Sequence, residues 1–166
     1  MTGMIGAIWG ILGIGIILGS AICRLTPFAI AAFSFPFKWF HWAVWVAIVL
    51  LMVHAEGYRG FQMHFSPRVA ARALYLRNHP RVLHVILAPL FCIGYVHATP
   101  RRQMSSFALT GGIILLVFAV HGLPQPWRGM IDAGVVGGLA WGLASTFWFA
   151  VKNFTTMESD HSPEIP

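Results

Sequence analysis

Charge is what this 166-residue sequence has least of: Asp, Glu, Lys and Arg together make up 10% of it, and only five residues are acidic. A soluble domain carries about 25% charged residues. So thin a supply does not clothe a water-facing surface, and the 57% hydrophobic content with a mean hydropathy of +0.71 points to lipid as the solvent. Cysteine is scarce as well. Cys23 and Cys92 stand far apart, which excludes a disulfide framework and a CxxC metal pattern. Also missing are a GxSxG, a P-loop, an HExxH and a thiol beside a basic cluster, which argues against an independent hydrolase or a phosphoryl-transfer enzyme. The opening run MTGMIGAIWGILGIGIILGSAIC has no basic n-region and is longer than a signal's apolar core, so it is expected to remain as a first span. Ile22 is too large to precede a lipidated cysteine at Cys23.

What is present is a series of apolar segments separated by cations. The net charge of +6 sits between those segments, where Lys and Arg meet lipid headgroups, so the lipid bilayer is the expected partner and nucleic acid is not. Segments 4–22, 37–55, 82–98, 107–123 and 130–151 are each near the length that crosses about 30 Å of hydrocarbon. The expected fold is all-α: a polytopic membrane bundle of about five transmembrane helices, forming one domain over 1–154, in a bacterial inner membrane. Residues 25–36, with Pro27 and Pro36, are too short to cross and are expected to be interfacial or re-entrant. Between the second and third spans, Ser66-Pro67 is a helix start and Asn78 to Pro80 a stop. With Arg68 and Arg72 one turn apart and Val69, Ala73 and Leu76 on another face, this predicts a short amphipathic helix on the membrane surface. The tail, 155–166, is polar and expected to be disordered.

Glycines at four-residue spacing, Gly6 with Gly10, Gly15 with Gly19, and Gly134 with Gly138 and Gly142, let helix backbones approach closely, although glycine is also simply commoner in membrane helices. In the five-span arrangement Arg59, Arg68, Arg72, Arg77, Arg81 and Arg128 share one surface. Arg24, Lys38, Arg101, Arg102 and Lys152 share the other, a slight bias that makes the first surface cytoplasmic.

Two segments share a pattern. HWAVWVAIVLLMVH runs from His41 to His54 and HVILAPLFCIGYVH from His84 to His97, so each has a histidine at both ends, 13 residues apart. Thirteen helical residues rise by about 20 Å, which puts one imidazole near each membrane surface. Antiparallel spans would then pair His41 with His97 and His54 with His84. Facing imidazoles in an apolar slot suit a bis-histidine haem iron, and Lys38, Arg101 and Arg102 on one side and Arg59, Arg77 and Arg81 on the other suit its propionates. Gly94 and Gly57, each one turn from a histidine, leave room for a porphyrin face. Thirteen steps also leave the histidines of one helix about 140° apart, so two haems would lie on different sides of it.

The pattern resembles the dihaem b-type membrane cytochromes, over residues 41–97. The resemblance implies iron-ligating roles for His41, His54, His84 and His97 towards two b-type haems, electron transport across the membrane, exchange with quinone, and a redox protein as partner. The alternative is a non-catalytic membrane subunit or assembly factor whose histidines are structural, since histidine near a span end also snorkels or hydrogen-bonds a carbonyl.

A third reading gathers His64, His79, His121, Glu56 and Asp132 with His54 and His84 at one surface, where imidazole and carboxylate would bind zinc, copper or non-haem iron. His121 or Asp132 would also serve a quinone's proton. Ion pairs of Glu56 with Arg59 and of Asp132 with Arg128 are the simpler account. The tryptophans and phenylalanine at Trp39, Phe40, Trp42 and Trp45, with Trp127 and Trp148, read as a headgroup belt.

Overall fold

The computed structural model describes residues 2–159 and 161–165 and contains no strand among them. Met1, Asp160 and Pro166 lie outside the described residues, the last two within the stretch read as a disordered tail. Four helical stretches are long and apolar enough to cross a membrane: Thr2–Ser34, Trp39–Asn78, Pro100–His121 and Trp127–Thr156.

Helix α1 (Thr2–Ala31) ends in a single 3-10 turn, Ala32–Ser34. Residues 25–36 were expected to form a separate interfacial piece, but most of them prolong α1. The helix passes through Pro27, and in that turn the Thr26 hydroxyl donates to the Ile22 carbonyl at 2.7 Å, the kind of side-chain bond that accommodates a proline in an apolar helix.

Helix α2 (Trp39–Met52), a π-helical stretch Val53–Phe65 and α3 (Ser66–Asn78) form one continuous rod. Helix α7 (Trp127–Thr156) runs parallel to it. Successive α7 residues meet successive rod residues: Gly134 meets Met52, Gly138 meets Glu56, Gly142 meets the Phe61 ring, and Ser145 and Thr146 bond Ser66 at 2.8 and 2.9 Å. Helix α1 is antiparallel to both, with Ala32 at Gly129 and Gly3 at the Arg77 carbonyl. The spaced glycines do sit at close contacts, with a neighbouring backbone at Gly10 and Gly138 and a side chain seated on the glycine at Gly6, Gly134 and Gly142, whereas Gly19 has open space.

The helix predicted from Ser66 to Asn78 is present, but it does not lie on a surface. Helix α3 is wedged between α1 and α7, with Val69, Ala73 and Leu76 fully buried and Arg72 only 2% exposed. Small residues on nearly every side of it, Ala70, Ala71 and Ala73 among them, let both neighbours close in.

Segment 82–98, expected to be a span, is two short helices and a turn. Helix α4 (Val82–Ile86) stops at Leu87, and α5 (Ala88–Ile93), with Pro89 in its first turn, ends at Gly94. Gly94 has φ +99°, a conformation natural only to glycine, and the Tyr95 N–H closes the turn on the Leu90 carbonyl at 3.0 Å. The segment turns back on itself instead of crossing. Helix α6 (Pro100–His121) follows. Its first half is tied to that turn by Ser106 and Arg102 on the Ile93 carbonyl, Gln103 on the Tyr95 carbonyl, and a hydroxyl bond between Thr110 and Tyr95. Its second half is mostly exposed.

Residues 161–165 run back to the bundle, where Ile165 packs against the core and the Thr99 N–H donates to the Glu164 carbonyl at 3.2 Å.

Candidate functional site

The fold-back of 82–98 decides where the histidines go. Because this segment does not cross, His97 returns to the end of the bundle that holds His84, and the two rings meet at 4.9 Å between centroids, inclined by 36°. His84 is 7% exposed and stacks on Phe91 at 4.8 Å. Phe91 in turn stacks on Tyr75, and Tyr75 on His79, giving a ladder of rings from α3 through α5 to the turn. Burial, then the neighbouring His97, Arg81 and Arg72, hold the His84 pKa below the usual imidazole range. Its Nδ1 is buried and has no hydrogen-bond partner.

The expected pairs do not form. His41 sits at the opposite end, where its Nδ1 accepts the Lys38 N–H at 3.0 Å and its ring lies against Phe40 and Trp127, so it caps α2. His54 stacks on Tyr58 one turn further on, at 5.7 Å. Among the described residues neither His41 with His97 nor His54 with His84 makes a ring contact. His97 itself has φ +49°, a left-handed conformation, and its carbonyl accepts from Arg72.

The further candidates are dispersed. His64 donates through Nδ1 to the Arg59 carbonyl at 2.6 Å, a bond within the π-helical stretch. His79 is in the ring ladder and His121 closes α6. Glu56 packs on Gly138. Asp132, 5% exposed, pairs with Arg128 at 3.6 Å, and the Arg128 guanidinium lies 4.0 Å over the Phe28 ring. The ion pair of Asp132 with Arg128 is thus present. Among the described residues no group of three or more His, Cys, Asp and Glu side chains is arranged to hold a metal ion. Cys92 is 1% exposed, and burial pushes its thiol pKa up to about 12, so it is no nucleophile.

The most densely bonded polar group was not foreseen. Arg72 donates Nε to the Phe91 carbonyl at 2.6 Å, Nη2 to Val96 and His97 at 2.8 and 2.9 Å, and Nη1 to Pro163 at 2.8 Å. Its guanidinium also lies 4.4 Å over the Phe91 ring. One cation thereby joins α3, the end of α5, the turn before α6 and the tail. Arg68 and Arg102 flank it, and each approaches the Glu164 carboxylate at 3.7 Å. The sequence signal for this hub is an arginine set among alanines and valine, a pattern that admits neighbours on all sides. Comparison with protein-family models, curated proteins and solved structures gives no match for the chain.

Proposed function

We propose that the chain is a multi-pass membrane protein of four spans that serves as a non-catalytic subunit or assembly factor. The observation that carries this reading is the separate structural use of the histidines: a helix cap at His41, a carbonyl bond at His64, and ring stacks at His54, His79 and His84. Exposed apolar side chains support the membrane, with Leu115 at 72% and Phe118 at 74% on a helix long enough to cross. Four spans also sharpen the charge pattern. Arg68, Arg72, Arg77, Arg81, Arg101, Arg102 and Lys152 then gather towards one end, and Arg24, Lys38 and Arg128 at the other, with Arg59 on the rod between them, which makes the richer end cytoplasmic.

A second reading, haem-linked electron transfer with quinone as exchange partner, has the unpartnered Nδ1 of His84 beside His97 in its favour. Axial ligands hold their nitrogens about 4 Å apart across an iron with the rings end-on. Rings in contact at 4.9 Å leave no slot for a porphyrin between them, so a haem here would take one of the two.

One preparation separates the readings: the protein purified in mild detergent from haem-replete cells, followed by a reduced-minus-oxidised visible spectrum. A colourless, folded protein is expected. A b-type band at one haem or more per chain, lost in His84→Ala, would replace the first reading with the second.

A further inference from the structure

Arg68, Arg72 and Arg102 converge from α3 and α6 at one end of the bundle, and the carboxylate that meets them belongs to the tail. Arg72 is buried, with four N–H groups bonded to backbone carbonyls and the fifth 3.5 Å from the Glu164 carbonyl, so it contributes charge and no free donor. Arg68 and Arg102 each have a single carbonyl bond, to His64 and Ile93 respectively, and keep guanidinium N–H groups for another acceptor. One Glu164 oxygen, Oε2, lies between them, 3.7 Å from each.

That distance is informative. A charge-assisted N–H···O bond closes to about 2.8 Å, so at 3.7 Å this oxygen pairs with both guanidinium groups by charge and hydrogen-bonds neither, and one negative charge faces three positive ones. A phosphate, with more acceptor oxygens and more than one negative charge, satisfies the remaining guanidinium donors and offsets the three cations more fully than one carboxylate. The start of α6 adds its helix dipole at the same place. Beside it opens a polar cavity of about 350 Å³ lined by Met63, His64, Arg68, His161, Ser162 and Glu164, which gives a ligand a way in. The occupant is also held under strain: Glu164 has φ +48°, a left-handed conformation that non-glycine residues rarely adopt.

We propose that Arg68 and Arg102, backed by Arg72, form a site for a phosphate group, and that the Glu164 side chain is its intramolecular stand-in. Displacing the carboxylate leaves the tail's backbone bonds to Arg72 and Thr99 in place, so ligand binding exchanges one anion for another without unfolding the end of the bundle. The phosphate belongs either to an anionic lipid headgroup or to a soluble phosphate, and both present the same chemistry to the two arginines. This inference does not depend on whether the chain is a non-catalytic subunit.

The test uses the full chain in mild detergent with two probes: phosphatidylglycerol, scored by native mass spectrometry, and inorganic phosphate, scored by thermal shift against chloride at matched ionic strength. Glu164→Gln, a conservative change at a partly exposed side chain, is expected to tighten binding of at least one probe by about tenfold, the scale of two weak ion pairs. Arg68→Gln/Arg102→Gln is expected to abolish it, and the single Arg68→Gln to weaken it should the double variant not fold. Tightening for the lipid alone identifies a headgroup, and tightening for inorganic phosphate identifies a soluble ligand. Unchanged binding of both probes in Glu164→Gln overturns the proposal, as does binding that survives loss of the arginines in a folded variant.

Discussion

Helices α3 and α6 invert the usual relation between polarity and burial. Helix α3 carries Arg68, Arg72, Arg77 and Asn78, yet most of it is buried between α1 and α7. Helix α6 is apolar enough to cross a membrane, yet only Ser106 and Val120 are buried in it among the described residues. In water this would be an unstable arrangement, because the hydrophobic effect would drive α6 inward and α3 outward. A bilayer would favour it: lipid would solvate the outer leucines and phenylalanines of α6, while Arg72 is kept inside and paired with backbone carbonyls. Within α3 the buried side chains are apolar except Ser66 and Arg72, and those two are the polar groups that find hydrogen-bond partners inside.

The comparison is broken most severely at Arg72. Replacing it with Met removes the charge and leaves the carbonyls of Phe91, Val96, His97 and Pro163 without their donor. A buried polar network that loses its central member is expected to cost about 3–5 kcal/mol. Thermal unfolding in detergent should show a large fall in Tm, together with proteolytic release of the tail. An unchanged Tm would mean that the hub is an ornament of the bundle and that apolar packing alone holds α3. On the other side of the comparison, Leu115→Asp places a carboxylate on the open face of α6. For a helix centred in lipid the change is expected to cost about 3 kcal/mol of insertion free energy, read as loss of membrane-integrated protein or as failure of α6 to cross in a glycosylation-site assay. Unimpaired insertion would place this face in water or in a polar interface.

The sequence made some of this legible and hid the rest for identifiable reasons. The bounds of α3 follow from Ser66-Pro67 and from Pro80, because capping and ring sterics are local. The apolar runs marked α1, α2, α6 and α7, because hydropathy is also local. The fate of 82–98 was not local. The left-handed turn at Gly94 and the break at Leu87 make the segment return, and that moves every later residue to the other end of the bundle. The histidine pairing failed with it, since equal spacing in two segments implies facing pairs only if both segments cross. The π-helical stretch at Val53–Phe65 adds a second reason: face assignments made at about 100° per residue do not hold for His54, Glu56 and His64. Arg72 was misread because its amphipathic pattern looks the same whether the polar face meets water or carbonyls.

The smallest effect separates two accounts of why α6 stands apart. A Cβ added at Gly111 or Gly112 would meet nothing within 4 Å, in contrast to Gly142, where it would press on the Phe61 ring at 2.5 Å. If lipid alone covers α6, Gly112→Ala should be stabilising by about 0.5–1 kcal/mol, the helical preference of alanine over glycine, with Tm rising by a few degrees at most. If instead a partner helix seats itself on this face, the same methyl group would hold the backbones apart. The isolated protein would still gain stability, while any complex captured from membranes by cross-linking would be weakened. Measuring both in one variant distinguishes a lipid-facing helix from a docking helix, because the two accounts agree on the free chain and disagree only on the assembled one.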